Sequence, residues 1–105
     1  MGFDQLKVNG FITHLELAVK RCSDCPSIAW NEVRFALTAM RKIQAKRIET
    51  LLTYEGWKYV VHLSTQLGMF AAVAEANDAL QDIRWITDQA IKWRDEAYAR
   101  ESGSN

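Results

Sequence analysis

The chain has 105 residues, and its 13 basic and 13 acidic residues give a formal net charge of zero. That length corresponds to one domain, and a hydrophobic content of 49% indicates a globular chain rather than a disordered one. A neutral chain argues against a basic coat for nucleic acid, and equally against an acidic mimic of nucleic acid. One proline and five glycines favour long helices over many short strands.

The first predicted helix covers residues 4–21, where apolar residues recur with a period near 3.6. Asn9 and Gly10 interrupt this pattern, and Thr13 with Glu16 matches a capping box, so the helix can also begin late. The predicted apolar face consists of Val8, Phe11, Ile12, Leu15, Ala18, Val19 and Cys22.

The second predicted helix covers residues 27–53 and would be about 40 Å long, so we expect it either to break near Gln44 or to project and meet a second copy. Gln44 and Arg47 fall on its apolar face, where an unpaired polar group costs about 1–3 kcal/mol. We therefore expect part of this face to contact another subunit, with Arg47 opposite a carboxylate. The apolar positions are Ala29, Val33, Leu37, Met40, Ile48 and Leu51.

The third predicted helix covers residues 57–76, after a break at Glu55 and Gly56 that resembles a C-cap glycine. Its apolar positions are Val60, Leu63, Leu67, Phe70 and Ala74. Short links between helices favour antiparallel neighbours in a bundle.

The fourth predicted helix covers residues 78–100, and Asp78 with Gln81 predicts a capping box at its start. Its apolar positions are Ala79, Ile83, Ile86, Ala90, Trp93 and Ala97. The expected fold is all-α, a four-helix bundle in one domain over residues 1–101, with a disordered tail at 102–105 and dimeric assembly.

Trp85 lies on the opposite side of the fourth helix from the apolar positions, among polar and charged residues. A large aromatic on a solvated face is typical of a contact surface, since aromatic side chains are enriched at the energetic centres of interfaces. The sequence leaves open whether Trp85 meets a partner or lies over a neighbouring helix.

The second helix also has a basic side, on which Phe35 and Lys42 are seven residues apart and Lys46 continues the stripe. Residues 1–58 hold nine Lys/Arg against six Asp/Glu, and residues 59–105 hold four against seven. This side therefore either faces the acidic half of the chain, or binds an acidic protein, or grips phosphates with an aromatic stacked on a base. The basic residues between 33 and 48 are Arg34, Arg41, Lys42, Lys46 and Arg47.

Cys22 and Cys25 form the only string that resembles a motif, a pair of thiols that could chelate zinc or cycle as a dithiol. Zinc would need two further ligands, and the chain offers only His14 and His62 as histidines. A redox role would need a preceding strand, which the pattern does not predict. The sequence contains no nucleophile pattern, glycine-rich phosphate loop or HExxH, so we predict no catalytic residue, no metal and no cofactor.

The leading prediction is a non-catalytic protein interaction module, a small cytoplasmic regulator, adaptor or inhibitor that forms a homodimer and does not enter a membrane. Its predicted partner-binding residues are Trp85, Phe35, Lys42, Lys46 and Arg47. The alternative is a nucleic-acid-binding regulator that uses the second helix. The phosphate-contacting residues would then be Arg34, Arg41, Lys42 and Lys46. A second alternative is a small zinc or thiol protein built on Cys22 and Cys25.

Overall fold

The structure, a computed structural model, describes residues 2–45 and 52–103, with side chains in the first helix described from Gln5 onward. Over these residues the chain forms four α-helices and no strand, so the predicted all-α four-helix bundle is confirmed. The helices are α1 (Gly2–Arg21), α2 (Pro26–Ala45), α3 (Tyr54–Val73) and α4 (Asn77–Ser102).

The bundle consists of two helical hairpins laid side by side. α1 packs on α2 and α3 packs on α4, while α1 lies beside α3 and α2 beside α4. Phe11 meets Trp57 and Glu16 meets Tyr59 along α1 and α3, and Arg41 meets Trp85 and Gln44 meets Gln89 along α2 and α4. Residue numbers rise together in both cases, so each of these two pairs is parallel. The expectation of antiparallel neighbours therefore holds within the hairpins only.

α2 and α3 occupy opposite corners of the bundle, because no Cα atom in the described part of one helix lies within 8 Å of a Cα atom of the other. Ala45 at the end of α2 and Tyr54 at the start of α3 therefore lie at opposite corners of the bundle. The whole molecule is elongated, with extents of 46 × 24 × 21 Å. None of the described helices is both long and apolar enough to cross a membrane.

The core forms at the positions that the helical periodicity predicts. Most predicted apolar positions are buried, and the largest fully buried side chains include Trp57 and Phe11. Ala74, which follows the last residue of α3, is exposed. The predicted positions that are only half-buried are Ile12, Val19, Cys22, Phe70 and Trp93. The predicted positions that are buried are Val8, Phe11, Leu15, Ala18, Ala29, Val33, Leu37, Met40, Val60, Leu63, Leu67, Ala79, Ile83, Ile86, Ala90 and Ala97.

Three helix starts differ from the local sequence signals. α1 is already helical at Gly2, so Thr13 and Glu16 do not form a cap. Continuity through Gly10 lets Val8 and Phe11 reach the core, and their burial outweighs the roughly 1 kcal/mol that glycine costs in a helix interior. Ile48 and Leu51 of the predicted second-helix face lie outside the described residues.

The start of α3 corrects the interpretation of Glu55 and Gly56. These residues belong to its first turn, and the hydroxyl of Thr53, the N-cap, accepts a hydrogen bond from the Gly56 N–H at 3.1 Å. Leu52 and Thr53 are not helical, so the second helix does not reach residue 53 as predicted.

The turn between α3 and α4 replaces the predicted Asp78 cap. Glu75 adopts a positive φ of 54°, and the Ala76 N–H donates to the Ala71 carbonyl oxygen at 3.0 Å. This is the hydrogen-bond pattern of a Schellman motif, in which the tight turn ends α3 and starts α4 immediately. Asp78 thus lies inside the first turn of α4, where its charge complements the helix dipole.

Candidate interaction groove

A groove of about 330 Å³ runs between α1 and α2 on the outer surface of the first hairpin. We name it the Phe35 groove, after the aromatic side chain that projects into it with 55% of its surface exposed. Three residues from α1 and four from α2 line it, each set at helical spacing. These residues are Lys7, Gly10, His14, Phe35, Thr38, Ala39 and Lys42.

Gly10 keeps the α1 side of the Phe35 groove open. A Cβ atom at this position would meet no side chain or neighbouring backbone within 4 Å. On the α2 side the Thr38 hydroxyl donates to the Arg34 carbonyl oxygen at 3.0 Å, so its hydrogen-bonding capacity is partly used within the helix. The middle of the groove is consequently apolar, and its polar groups lie at the two ends.

His14 packs against Phe35. The two rings are tilted by 40° with centroids 5.3 Å apart, and His14 Nδ1 lies 2.7 Å from Glu32 Oε2. Glu32 is thereby turned onto His14 and does not line the groove. Every charged side chain among the described lining residues is therefore basic, namely Lys7 and Lys42.

The predicted basic side of α2 divides into two surfaces. Lys42 lines the Phe35 groove, whereas the guanidinium group of Arg34 lies 6.0 Å from the ring of Trp30 on the same helix and that of Arg41 lies 5.1 Å from the ring of Trp85 on α4. Arg34 also shares a groove of about 380 Å³ with Asp78 and Asp82. Lys46 and Arg47 of the same prediction lie outside the described residues.

Trp85 is less exposed than the sequence indicated. It is half-buried, packs against the core, and is covered by Arg41 from α2. The expectation of a fully solvated face is wrong because α2 lies directly beside this part of α4. Of the two alternatives left open, the contact that the structure shows is with a neighbouring helix, and a role for Trp85 in partner binding stays a prediction.

Gln44 is also misplaced by the sequence interpretation. It is exposed, and its amide donates to Gln89 Oε1 at 3.0 Å within the same chain. The buried position at this level is Ile43, one residue earlier, because the apolar stripe continues through Ala36 and Met40. The polar seam residue that suggested a subunit contact through α2 therefore lies at the edge of the bundle.

Cys22 and Cys25 are free thiols at the turn between α1 and α2. Cys22 donates to the Val19 carbonyl oxygen at 3.0 Å, and Cys25 is exposed. Among the residues that the structure describes, no three His, Cys, Asp or Glu side chains cluster closely enough to hold a metal ion. His14 and His62 lie on different helices, and only His14 contributes to the groove.

The α1 side of the Phe35 groove was missed by sequence reasoning. Lys7, Gly10 and His14 repeat at intervals of three and four, as Phe35, Thr38 and Lys42 do on α2. This matched spacing is the signal that could have indicated two facing edges of one groove.

No known protein family, curated protein or solved structure matches the chain.

Proposed function

We propose that this protein is a non-catalytic interaction module that binds an acidic segment of another protein in the Phe35 groove. The observation that carries the proposal is a half-exposed aromatic ring in an apolar groove whose described charged lining residues are both lysines. It would act as a small cytoplasmic regulator, adaptor or inhibitor. The free thiols of Cys22 and Cys25 support a reducing compartment.

Phe35 has the properties of a binding anchor. Its ring is already oriented by His14, so little conformational entropy would be lost when a partner covers it. Aromatic residues in preformed pockets account for much of the affinity of protein interfaces. A helix or extended segment with an apolar side chain at its centre would fill the space above Gly10.

The charges favour an acidic protein over nucleic acid. Lys42 lines the groove, where its charge would attract carboxylates and speed association. Nucleic acid would need a wider basic surface to neutralise several phosphates. The other described basic residues of α2 lie outside this groove, Arg34 over Trp30 of the same helix and Arg41 over Trp85 of α4.

The proposal can be tested by capturing partners from a lysate of the native host on immobilised protein, followed by mass spectrometry. We expect proteins with acidic segments to bind the wild type, and their affinity to fall about 30-fold or more for Phe35→Ala, the size expected for loss of an anchor. Lys42→Glu should also weaken binding, most strongly at low salt, because the new carboxylate would repel the acidic residues of the partner.

Two control variants make this experiment specific. Tyr98→Ala removes an aromatic ring that is also 55% exposed, but on α4, and should leave binding unchanged. Gly10→Leu should fill the groove and block binding, whereas Gly10→Ala should not, because a Cβ atom at this position meets nothing within 4 Å. Capture that is equal for wild type and Phe35→Ala would refute the proposal. So would salt-sensitive binding to duplex DNA that Arg34→Glu abolishes.

A further inference from the structure

The turn between α1 and α2 contains both cysteines of the chain, and neither lines the Phe35 groove. Both are free thiols, of which Cys22 is half-buried and Cys25 is exposed. Cys25 lies directly before α2, and its carbonyl oxygen accepts hydrogen bonds from the N–H groups of Ile28 and Ala29 at 3.0 and 2.9 Å. One thiol therefore follows the last residue of α1, and the other precedes the first residue of α2.

The backbone of this turn brings the two cysteines close together. The Cys25 N–H donates to the Arg21 carbonyl oxygen at 2.8 Å, and none of residues 21–25 has a positive φ, so the chain makes one further right-handed turn after α1. With a rise of about 1.5 Å per residue and a radius of about 2.3 Å, Cα atoms three residues apart in such a turn are about 5 Å apart. A disulfide requires a Cα separation of about 4.4–6.8 Å, which the folded backbone already provides.

We propose that Cys22 and Cys25 form a reversible oxidation site, at which a small anionic disulfide such as glutathione disulfide converts the two thiols to an intramolecular disulfide. Lys20 and Arg21 precede Cys22 in the last turn of α1, and their charges would attract the carboxylates of glutathione. A catalytic dithiol would need a preceding strand, which the described residues do not form, but ring closure needs only two sulfur atoms within reach. Disulfides in cytosolic proteins are usually transient ones of this kind.

The exchange has two steps and begins at Cys25, whose side chain is the more accessible. After losing its proton to water, the Cys25 thiolate attacks one sulfur of glutathione disulfide, the bond between the two glutathione sulfurs breaks, and one glutathione leaves as a thiolate. Cys22 then loses its proton to water and attacks Cys25 Sγ, which forms the intramolecular disulfide and releases the second glutathione thiolate. Two electrons pass from the protein to glutathione, and each released thiolate takes up one proton.

Cys22 is suited to the second of these steps. Its thiol donates to the Val19 carbonyl oxygen at 3.0 Å, so its sulfur lies against the end of α1 in the reduced protein. A thiol is a weak hydrogen-bond donor, so rotation about the Cα–Cβ bond toward Cys25 gives up little. The half-buried thiol therefore stays available to displace glutathione from its exposed neighbour.

This site is independent of the proposed function, because residues 22–25 and the Phe35 groove have no residue in common. Loss of either cysteine would leave the groove intact, and loss of partner binding would leave the thiols unchanged. The experiments below therefore use only the protein and glutathione.

Intact-mass spectrometry of the full-length protein tests the proposal, after equilibration with glutathione buffers of increasing disulfide content and quenching in acid. We expect the wild type to lose two hydrogens and to carry no glutathione. Cys22→Ser should retain one glutathione on Cys25, because the thiol that displaces it is absent. A wild type that stays reduced in excess glutathione disulfide, that retains glutathione, or that forms disulfide-linked dimers would overturn the proposal.

The double variant Cys22→Ser, Ser23→Cys is the matched control for the spacing. It keeps two thiols in the same turn but places them two residues apart, and side chains at that spacing do not face each other. It should retain glutathione, or close its ring only at a glutathione disulfide content about tenfold higher than the wild type needs. Ring closure at the same buffer composition in both proteins would contradict the placement of Cys22 and Cys25 by the turn.

Urea denaturation shows whether the folded turn accepts the bond without distortion. The oxidised wild type should have a higher urea midpoint than the reduced wild type, because the ring restricts the unfolded chain and leaves the folded turn as it is. Cys25→Ser should have the same midpoint in reducing and oxidising buffer. A lower midpoint for the oxidised wild type would show that the turn must distort, and the proposal would be wrong.

Discussion

Tyr59 carries a titration signature that can be checked on a single side chain. Its hydroxyl donates to Glu16 Oε2 at 2.8 Å, and this hydrogen bond, helped by partial burial and the negative charge of Glu16, raises the pKa of Tyr59 above 10.0. The bond stabilises the fold while the phenol is protonated. Its contribution is therefore present below pH 10 and is lost as the pH rises through the raised pKa.

We expect Glu16→Gln to lower the pKa of Tyr59 toward the ordinary tyrosine value, because the charged acceptor is removed. The measurement is an NMR titration of the tyrosine ring carbons at alkaline pH. Tyr59→Phe should remove the corresponding ring-carbon signal and so assigns it to Tyr59. An unaltered Tyr59 midpoint in Glu16→Gln would contradict the assignment.

At the scale of single elements, the end of α3 contains a strained residue. Glu75 has a φ of 54°, a left-handed conformation that costs a residue with a side chain about 1 kcal/mol. Glu75→Gly should therefore raise the free energy of unfolding by about 1 kcal/mol, measured by urea denaturation.

Glu75→Ala is the matched control for that substitution, because it removes the charge while keeping the side-chain strain. It should be about as stable as the wild type or slightly less stable. If the glycine and alanine variants had equal free energies of unfolding, the positive φ at this position would not be a source of strain. Both variants should be compared at one protein concentration, since dimerisation would add to stability.

The helices themselves were predictable, because a helix with one buried face has an apolar residue about every 3.6 positions, and that repeat is visible in one sequence. Their starts were less so. Thr13 and Asp78 have the right chemistry for caps, but Phe11 and Ala79 must reach the core, and packing over a whole helix outweighs one capping hydrogen bond of about 1 kcal/mol.

The candidate site was predictable only in part, for a different reason. Phe35 and Lys42 stand out within α2, but the pattern within one helix does not say which helix lies next to it. Lys7 and Gly10 line the groove because α1 packs beside α2, and the pattern within α2 does not show that neighbour. The same lack of neighbour information put Trp85 in solvent, whereas Arg41 covers it.

At the scale of the whole molecule, Trp57 links the two hairpins. It is fully buried in α3 and packs against Phe11 of α1 and Trp93 of α4, with ring centroids 6.3 and 5.1 Å away. We expect Trp57→Ala to lower the free energy of unfolding by about 3–5 kcal/mol, measured by chemical denaturation.

Trp57→Phe separates ring packing from hydrogen bonding in the same experiment. The buried Nε1 of Trp57 donates to no acceptor in the part of the chain that the structure describes, so phenylalanine loses volume but no hydrogen bond. It should cost clearly less than alanine. A loss below about 1 kcal/mol for Trp57→Ala would show that the hairpins do not depend on this contact.

The positions of the end of α2 and the start of α3 at opposite corners set a limit for protein engineering. A link that joins opposite corners cannot be shortened to a tight turn without pulling the hairpins apart. Insertions at Glu75 should also be avoided, because one added residue would break the hydrogen bond from the Ala76 N–H to the Ala71 carbonyl oxygen and disturb the start of α4.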